Sequence, residues 1–267
     1  MMYHQMPIPP RSEHLWRYTP WHRIHPSKPD VIPSADGIVF KTQDNVSLIE
    51  TSSTEPTSSE IARTFLHECK GSSYNLSLDN IAEPIHINAR CSGHVSVGTL
   101  NVEVKGSAVL FIHLTGEPEW AGIRITGTVH PNSQLFYGFI NELDSNAKFL
   151  RCEDWNLQRD ASMENATLSL GGFRCKTDIR TSLNGTGASL RQAITVNADG
   201  AQHDDEHVEI HHHHGHTYSD LVMNSACGGS SHFIGTGLLT IAEGANKTDA
   251  SQVFRNLLLS EKARAEA

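Results

Sequence analysis

The chain has 267 residues, a formal net charge of -9, 38% hydrophobic and 7% aromatic residues, and 20 glycines. This length suits one large domain, or one domain with a small appendage, and richness in Gly, Ser, Thr and Asn favours short strands and turns over a helical bundle. The absence of a Lys/Arg run argues against nucleic acid as a partner, no apolar window of ~18 residues predicts a membrane span, and the N-terminus has no secretory apolar segment.

Residues 1–35 read as an arm, because Pro7, Pro9, Pro10, Pro20, Pro26, Pro29 and Pro33 interrupt regular structure. Within it, Leu15-Trp16-Arg17-Tyr18-Thr19-Pro20 reads as an aromatic anchor that ties the arm to a core. Gly37 to Lys41 suggests a short strand and residues 42–56 a polar loop. Thr57-Ser58-Ser59-Glu60 has the form of a capping box, with Thr57 as N-cap and Glu60 at N3. The spacing of Ile61, Phe65 and Leu66 predicts a helix over 58–69, stopped at Gly71 as C′ residue.

From Ile81 the hydrophobic period changes to two. Pro84–Asn88, His94–Val97 and Leu100–Lys105 alternate, and Val109–Leu114, Gly122–Val129 and Gln134–Ile140 are apolar or β-branched runs. Further short pieces follow at Ala166–Leu170, Thr177–Leu183, Ile194–Asn197, Val208–His212 and His232–Ile241. No amphipathic helices alternate with them, which argues against a doubly wound α/β sheet. A mainly β fold is predicted, either a sandwich or barrel or a β-solenoid. Asn165, Asn184-Gly185, Asn197-x-Asp199-Gly200, Asn224 and Asn246 read as corners of stacked coils. In the tail, Ala250, Val253, Phe254, Leu257 and Leu258 have helical spacing behind Asp249, a good N-cap.

The densest titratable cluster is His203, His207, His211 to His214 and His216. Clustered neutral imidazoles suit a metal, and on a strand His212, His214 and His216 would share one face. One strand, however, delivers few convergent ligands, and consecutive histidines are tolerated on a solvated face. Cys69, Cys91, Cys152, Cys175 and Cys227 are odd in number and form no C-x-x-C, which favours reduced intracellular thiols over a disulfide framework or a zinc ribbon. Cys227 sits among small residues in a turn-like context that could expose a thiol, with packing as a small hydrophobe the plainer reading. Glu117 and Glu119, and the adjacent Asp204 and Asp205, read as solvated turns. Gly185-x-Gly187 does not complete a dinucleotide fingerprint, and neither a Walker A sequence nor a G-x-S-x-G elbow is present. No catalytic, cofactor-binding or metal-ligating residue is assigned from the sequence.

A longer pattern spans the last third: Gln202-His203 and Asp205, Ile210 to His214, Thr217-x-Ser219-Asp220, Phe233-x-Gly235, Gly244-Ala245-x-Lys247-Thr248-Asp249-Ala250-x-Gln252 and Asn256-Leu257-Leu258-Leu259-Ser260. It resembles the SufB/SufD family of iron–sulfur cluster assembly proteins, the SufD branch more than SufB. Leu157-x-Arg159-Asp160-Ala161, Leu168-x-Leu170-Gly171-Gly172, Asp178 and Leu183-x-Gly185-x-Gly187 match the same pattern as coil segments with Gly corners. The resemblance runs from about Ile81 to Ala267, with an echo at Trp16–Pro20.

The resemblance implies a right-handed parallel β-helix core over 81–267, preceded by an arm and small helical region over 1–80. It implies an extended or looped tail, against the helical spacing noted above. It also implies a cytoplasmic scaffold subunit, not an enzyme, that pairs with a SufB-like subunit and acts with the SufC-like ATPase. No cofactor would be bound permanently, and a transient iron–sulfur cluster would form only in a complex. Family chains continue into a Cys-Ser-His-Gly-Ala-Thr motif and a helical C-terminal domain, so a C-terminally truncated member is expected, with an open coil end that self-associates unless a partner caps it. The competing classes are a stand-alone metal-binding β-protein using the His203–His216 cluster and a non-functional fragment.

Overall fold

The computed structural model describes residues 2–43, 46–53, 55–56 and 60–267. A helical turn, α1 (Trp21–Ile24), precedes three short strands, β1 (Asp36–Gly37), β2 (Val39–Lys41) and β3 (Ile49–Glu50), and the helix α2 (Ile61–Glu68). Strands follow as β4 (Ser72–Asp79), β5 (Ile85–Cys91), β6 (Val95–Lys105), β7 (Ser107–Gly116), β8 (Trp120–Val129), β9 (Gln134–Leu143) and β10 (Lys148–Leu157). The series continues with β11 (Ser162–Ser169), β12 (Arg174–Leu183), β13 (Ser189–Ala198), β14 (His203–His212), β15 (Tyr218–Cys227), β16 (His232–Ile241), β17 (Asp249–Leu258) and β18 (Arg264–Glu266).

Period-two sequence wound through regular turns gives a parallel β-solenoid of about 7 turns. Even-numbered strands from β4 to β18 stack in one sheet, and odd-numbered strands from β5 to β17 in the other. Register is kept from coil to coil, so Phe149, Cys175, Asp204 and Phe233 form one row across β10, β12, β14 and β16. Alternate residues of each strand enter the space between the sheets. Phe149, Trp155 and Leu157 of β10 meet Leu135, Phe139 and Leu143 of β9 there, all buried. Full burial of each such side chain stabilises by about 1.5–3 kcal/mol. One close approach depends on glycine: a Cβ at Gly127 would stand 2.1 Å from a ring carbon of Trp155.

The even-numbered sheet is buried on its outer face as well, because the N-terminal arm and α2 lie over it. A second apolar cluster fills that layer, with Tyr3, Trp16, Trp21, Ile24, Phe65 and Leu66 against Val97, Trp120, Leu150 and Cys152. Trp120 Nε1 donates to the Ile24 carbonyl at 2.6 Å, Trp21 Nε1 to Tyr3 Oη at 2.9 Å, and the Tyr3 hydroxyl to the Pro29 carbonyl. The predicted aromatic anchor therefore exists, and it extends beyond Trp16 to Tyr3 and Trp21.

Several expectations change. Helix α2 starts at Ile61, and Glu60 is its N-cap, its carboxylate accepting from Ala62 N and Arg63 N at 3.0 and 3.2 Å. An anionic acceptor at the N-terminus satisfies these amides as a Ser or Thr hydroxyl would. Thr57, Ser58 and Ser59 lie outside the described residues. At the other end Lys70, with φ 51°, takes the left-handed position assigned to Gly71. Gly71 instead lets the chain pass β6, since a Cβ there would lie 2.0 Å from the Val97 carbonyl oxygen. Asp249–Leu258 is strand β17, paired with β15 along its whole length. The waiting backbone edge of β15 overrides the helical spacing of the tail. Asn184 and Asn246 sit at turns as predicted, whereas Asn165 and Asn224 lie within β11 and β15. No described helix is long and apolar enough to cross a membrane.

Candidate functional site

Asp204 and Asp205 lie within β14 rather than on a solvated turn, and the run Asp204-Asp205-Glu206-His207 is buried throughout. Pairing on both sides with β12 and β16 holds this polar run extended, so its side chains alternate between the two faces of the sheet. Asp204 and Glu206 enter the solenoid interior. Asp205 and His207 face outward, beneath the arm. Two groups of ionisable residues result, one inside and one outside.

The inner group centres on Glu153. Its Oε1 accepts from Arg151 Nε at 2.7 Å and from the Tyr137 hydroxyl at 2.8 Å, and its Oε2 accepts from Trp155 Nε1 at 2.7 Å. Arg151 also lies 3.7 Å from the Phe139 ring centroid and donates to Thr167 Oγ1 at 3.1 Å. Removing either partner of this buried pair strands a charge. Nearby, burial and the neighbouring Glu206 push the Asp204 carboxyl up to about 8, and burial pushes Glu206 up to about 7. Asp204 Oδ2 and Glu206 Oε2 have no hydrogen-bond partner among the described residues.

The outer group begins with Arg63 of α2, which is fully buried. Its Nε reaches both oxygens of Asp154 at 2.9 Å, its Nη1 pairs with Asp178, and its Nη2 donates to the carbonyls of Glu153 and Asp178 at 3.1 and 3.4 Å. Arg180 approaches Asp178 from the other side at 2.9 Å and lies 3.8 Å from Glu209. Glu209 accepts from His207 at 2.9 Å and from His211 at 3.1 Å. These two hydrogen bonds hold its carboxyl well below the usual carboxylate range. Towards the arm, Lys176 Nζ pairs with Asp205 at 2.8 Å, 5.9 Å from the Trp16 ring, and Thr19 Oγ1 meets His203 Nε2 at 2.8 Å. A groove of about 490 Å³ opens along this face, lined in part by Glu103, Asp154, Asn156, Arg180 and His211.

The histidine cluster does not converge as a whole, although His207 and His211 share Glu209 as a partner. His203, His207 and His211 point outward, and His212 points inward, where its Nδ1 meets Thr217 Oγ1 and its Nε2 meets Ser219 Oγ, both at 2.8 Å. His213, His214 and His216 are exposed on the turn after β14, so the shared face expected for His212, His214 and His216 does not form. All five cysteines are free and buried, and Cys227 ends β15 instead of sitting in an exposed turn. Burial pushes the Cys69 and Cys91 thiols up to about 12 and raises Cys152 and Cys175 well above the usual thiol range. Those four are poor nucleophiles and poor metal ligands. Glu117 and Glu119 are exposed as predicted. Sequence reasoning missed Arg63, Arg151, Glu153, Asp154, Arg180 and Glu209, and took Asp178 as architecture alone. The one available signal was the polar run 204–207 abutting a predicted strand.

The fold is thus a parallel β-solenoid of two sheets, with ion pairs inside and an N-terminal arm pinned outside. The family model described as SUF system FeS cluster assembly, SufBD core domain, matches residues 86–267, and the chain belongs to this SufB/SufD family. It is 25% identical over 198 residues to an iron-sulfur cluster assembly SufBD family protein of Mycobacterium tuberculosis, covering 70% of this chain and 50% of the relative. A protein of the same description from Mycobacterium leprae is 24% identical across 97% of this chain and 72% of its own length. The chain spans about half the length of the M. tuberculosis relative.

Proposed function

We propose that this chain is a scaffold in iron–sulfur cluster assembly, pairing with a SufB-like subunit and acting with a SufC-like ATPase in the cytoplasm. The observation that carries the reading is the family match, which spans the solenoid from β5 to the last described residue. The geometry supports a scaffold over an enzyme. Arg63, Arg151, Lys176 and Arg180 sit in ion pairs, and four of the five thiols are shifted away from reactivity. The iron–sulfur cluster would be cargo formed within the complex and not a resident cofactor.

The test is affinity co-purification of the tagged chain with the SufB-like and SufC-like proteins of its own cell. Recovery of the SufB-like protein is the expected result. Soluble, folded protein that recovers neither partner refutes the reading.

A further inference from the structure

The outer face of β14 places His207, Glu209 and His211 at alternate positions, three ligand-type side chains on one face of one strand. Ordinary strand geometry would hold the two imidazoles apart. Here both rings turn their Nε2 atoms to the same carboxylate, one to each oxygen, at 2.9 and 3.1 Å. The neighbouring strand β12 brings Asp178 to the same point, and ligand atoms of Asp178, His207 and Glu209 all lie within 4.8 Å of one another. Side-chain exposures of 3% for Asp178, 5% for His207 and 17% for Glu209 make this a sheltered pocket.

Charge compensation is uneven across the group. Arg63 is engaged by Asp154 and Asp178, and Arg180 chiefly by Asp178. The close partners of Glu209 are two imidazoles, with Arg180 further off at 3.8 Å. A cation held between the two rings would lie against this carboxylate. Imidazole nitrogen combined with carboxylate oxygen suits a divalent first-row transition metal better than calcium or magnesium. His211, with 26% side-chain exposure, lines the outer groove and gives an ion a route in. His14 of the arm, with its ring centroid 6.5 Å from that of His207, closes the far side.

We propose that His207 and Glu209, with Asp178 beside them and His211 at the mouth, form a binding site for one divalent transition-metal ion such as Zn²⁺ or Co²⁺. Of the contiguous run His211 to His214, only His211 belongs to it. The site lies between the solenoid and its arm and does not depend on the scaffold reading. Arg180 is its built-in antagonist, because a guanidinium this close repels the incoming cation.

The test is titration of the chelator-treated full chain with Co²⁺, followed by visible ligand-field absorption, and with Zn²⁺ by calorimetry. The expected result is saturation at one equivalent. His207→Ala and Glu209→Gln should abolish it, and His211→Ala should weaken it about tenfold, the scale of a lost peripheral ligand. Changing His213 and His214 together to Ala should leave it unaltered, and Arg180→Gln should tighten it. If His207→Ala fails to fold, the decision passes to His211→Ala and Arg180→Gln, whose opposite effects no merely structural role produces. Absence of saturable binding overturns the proposal. So does binding that survives Glu209→Gln but is lost with His213 and His214, or Arg180→Gln and His211→Ala both without effect.

Discussion

Replacing Arg63 by Met keeps the length and the apolar stem of the side chain and removes only the guanidinium. Its four nitrogen-to-oxygen connections to sheet groups within 3.1 Å, and a fifth at 3.4 Å, are lost together. Asp178, with 3% side-chain exposure, is left with Arg180 alone, and two backbone carbonyls lose a donor. Breaking one partner out of a buried pair costs about 3–5 kcal/mol. The pH dependence gives an independent measure. Burial alone would raise the Asp178 carboxyl, but Arg63 and Arg180 overcome it and hold the group at about 2, against 3.8 in the unfolded chain. That difference stabilises the fold by roughly 2 kcal/mol above pH ~4, a contribution lost as pH falls through 2. Urea unfolding at pH 7, followed by tryptophan fluorescence, should show Arg63→Met destabilised by at least ~3 kcal/mol. Hydrogen exchange should accelerate in residues 2–35 and in α2 more than in β6 to β14. Adding Asp178→Asn to Arg63→Met should recover part of the loss, since no buried carboxylate is then stranded. A cost under ~1 kcal/mol, the scale of an exposed pair, with unchanged exchange in the arm, would show that the apolar layer alone holds it down.

Asp204→Asn should stabilise the chain more at pH 8 than at pH 5. The folded group titrates at about 8 and the unfolded one at 3.8, so its stabilising contribution is present below ~pH 4 and is lost as pH rises to 8. Equal shifts of the urea midpoint at the two pH values would contradict this. Burial and Arg174 hold His203 down at about 4, against 6.5 when unfolded, so its stabilising contribution is present above ~pH 6.5 and fades as pH falls towards 4. Hydrogen exchange of the arm around Thr19 should therefore rise between pH 7 and pH 5, and His203→Gln should flatten that rise. Gly127→Ala should cost about 1–3 kcal/mol through overpacking against Trp155, read as a lowered melting temperature, and an unchanged melt would refute the contact.

Much of the fold was legible in the sequence because strand periodicity survives in the outward and inward rows, as at Pro84–Asn88 and Leu100–Lys105. The family pattern then separated a solenoid from a sandwich, which periodicity alone does not do. Reading failed wherever tertiary pairing outranked local preference. The tail has helical spacing, yet β15 presents an open row of hydrogen-bonding groups that draws it into a strand. Asp204 to His207 resemble a turn in isolation, because nothing local reveals Lys176, Arg151 or Arg180 waiting on neighbouring strands. The candidate site was largely hidden for the same reason. Its residues come from α2, β10, β12 and β14, and the visible histidine run points at the exposed turn beside it rather than at His207 and Glu209.

The arm is made before the coils it covers. Thr19 meets His203 across 184 residues of sequence, and Arg63 meets Asp178 across 115. At synthesis rates of about 5–20 residues per second, the segment bearing Trp16 and Trp21 waits roughly 10–40 s for its berth to leave the ribosome. The strands that carry Trp120 and Leu150 emerge earlier, so the apolar layer can begin to form before the contact to His203 closes it. The seating of the arm is thus complete only when β14 has joined the sheet.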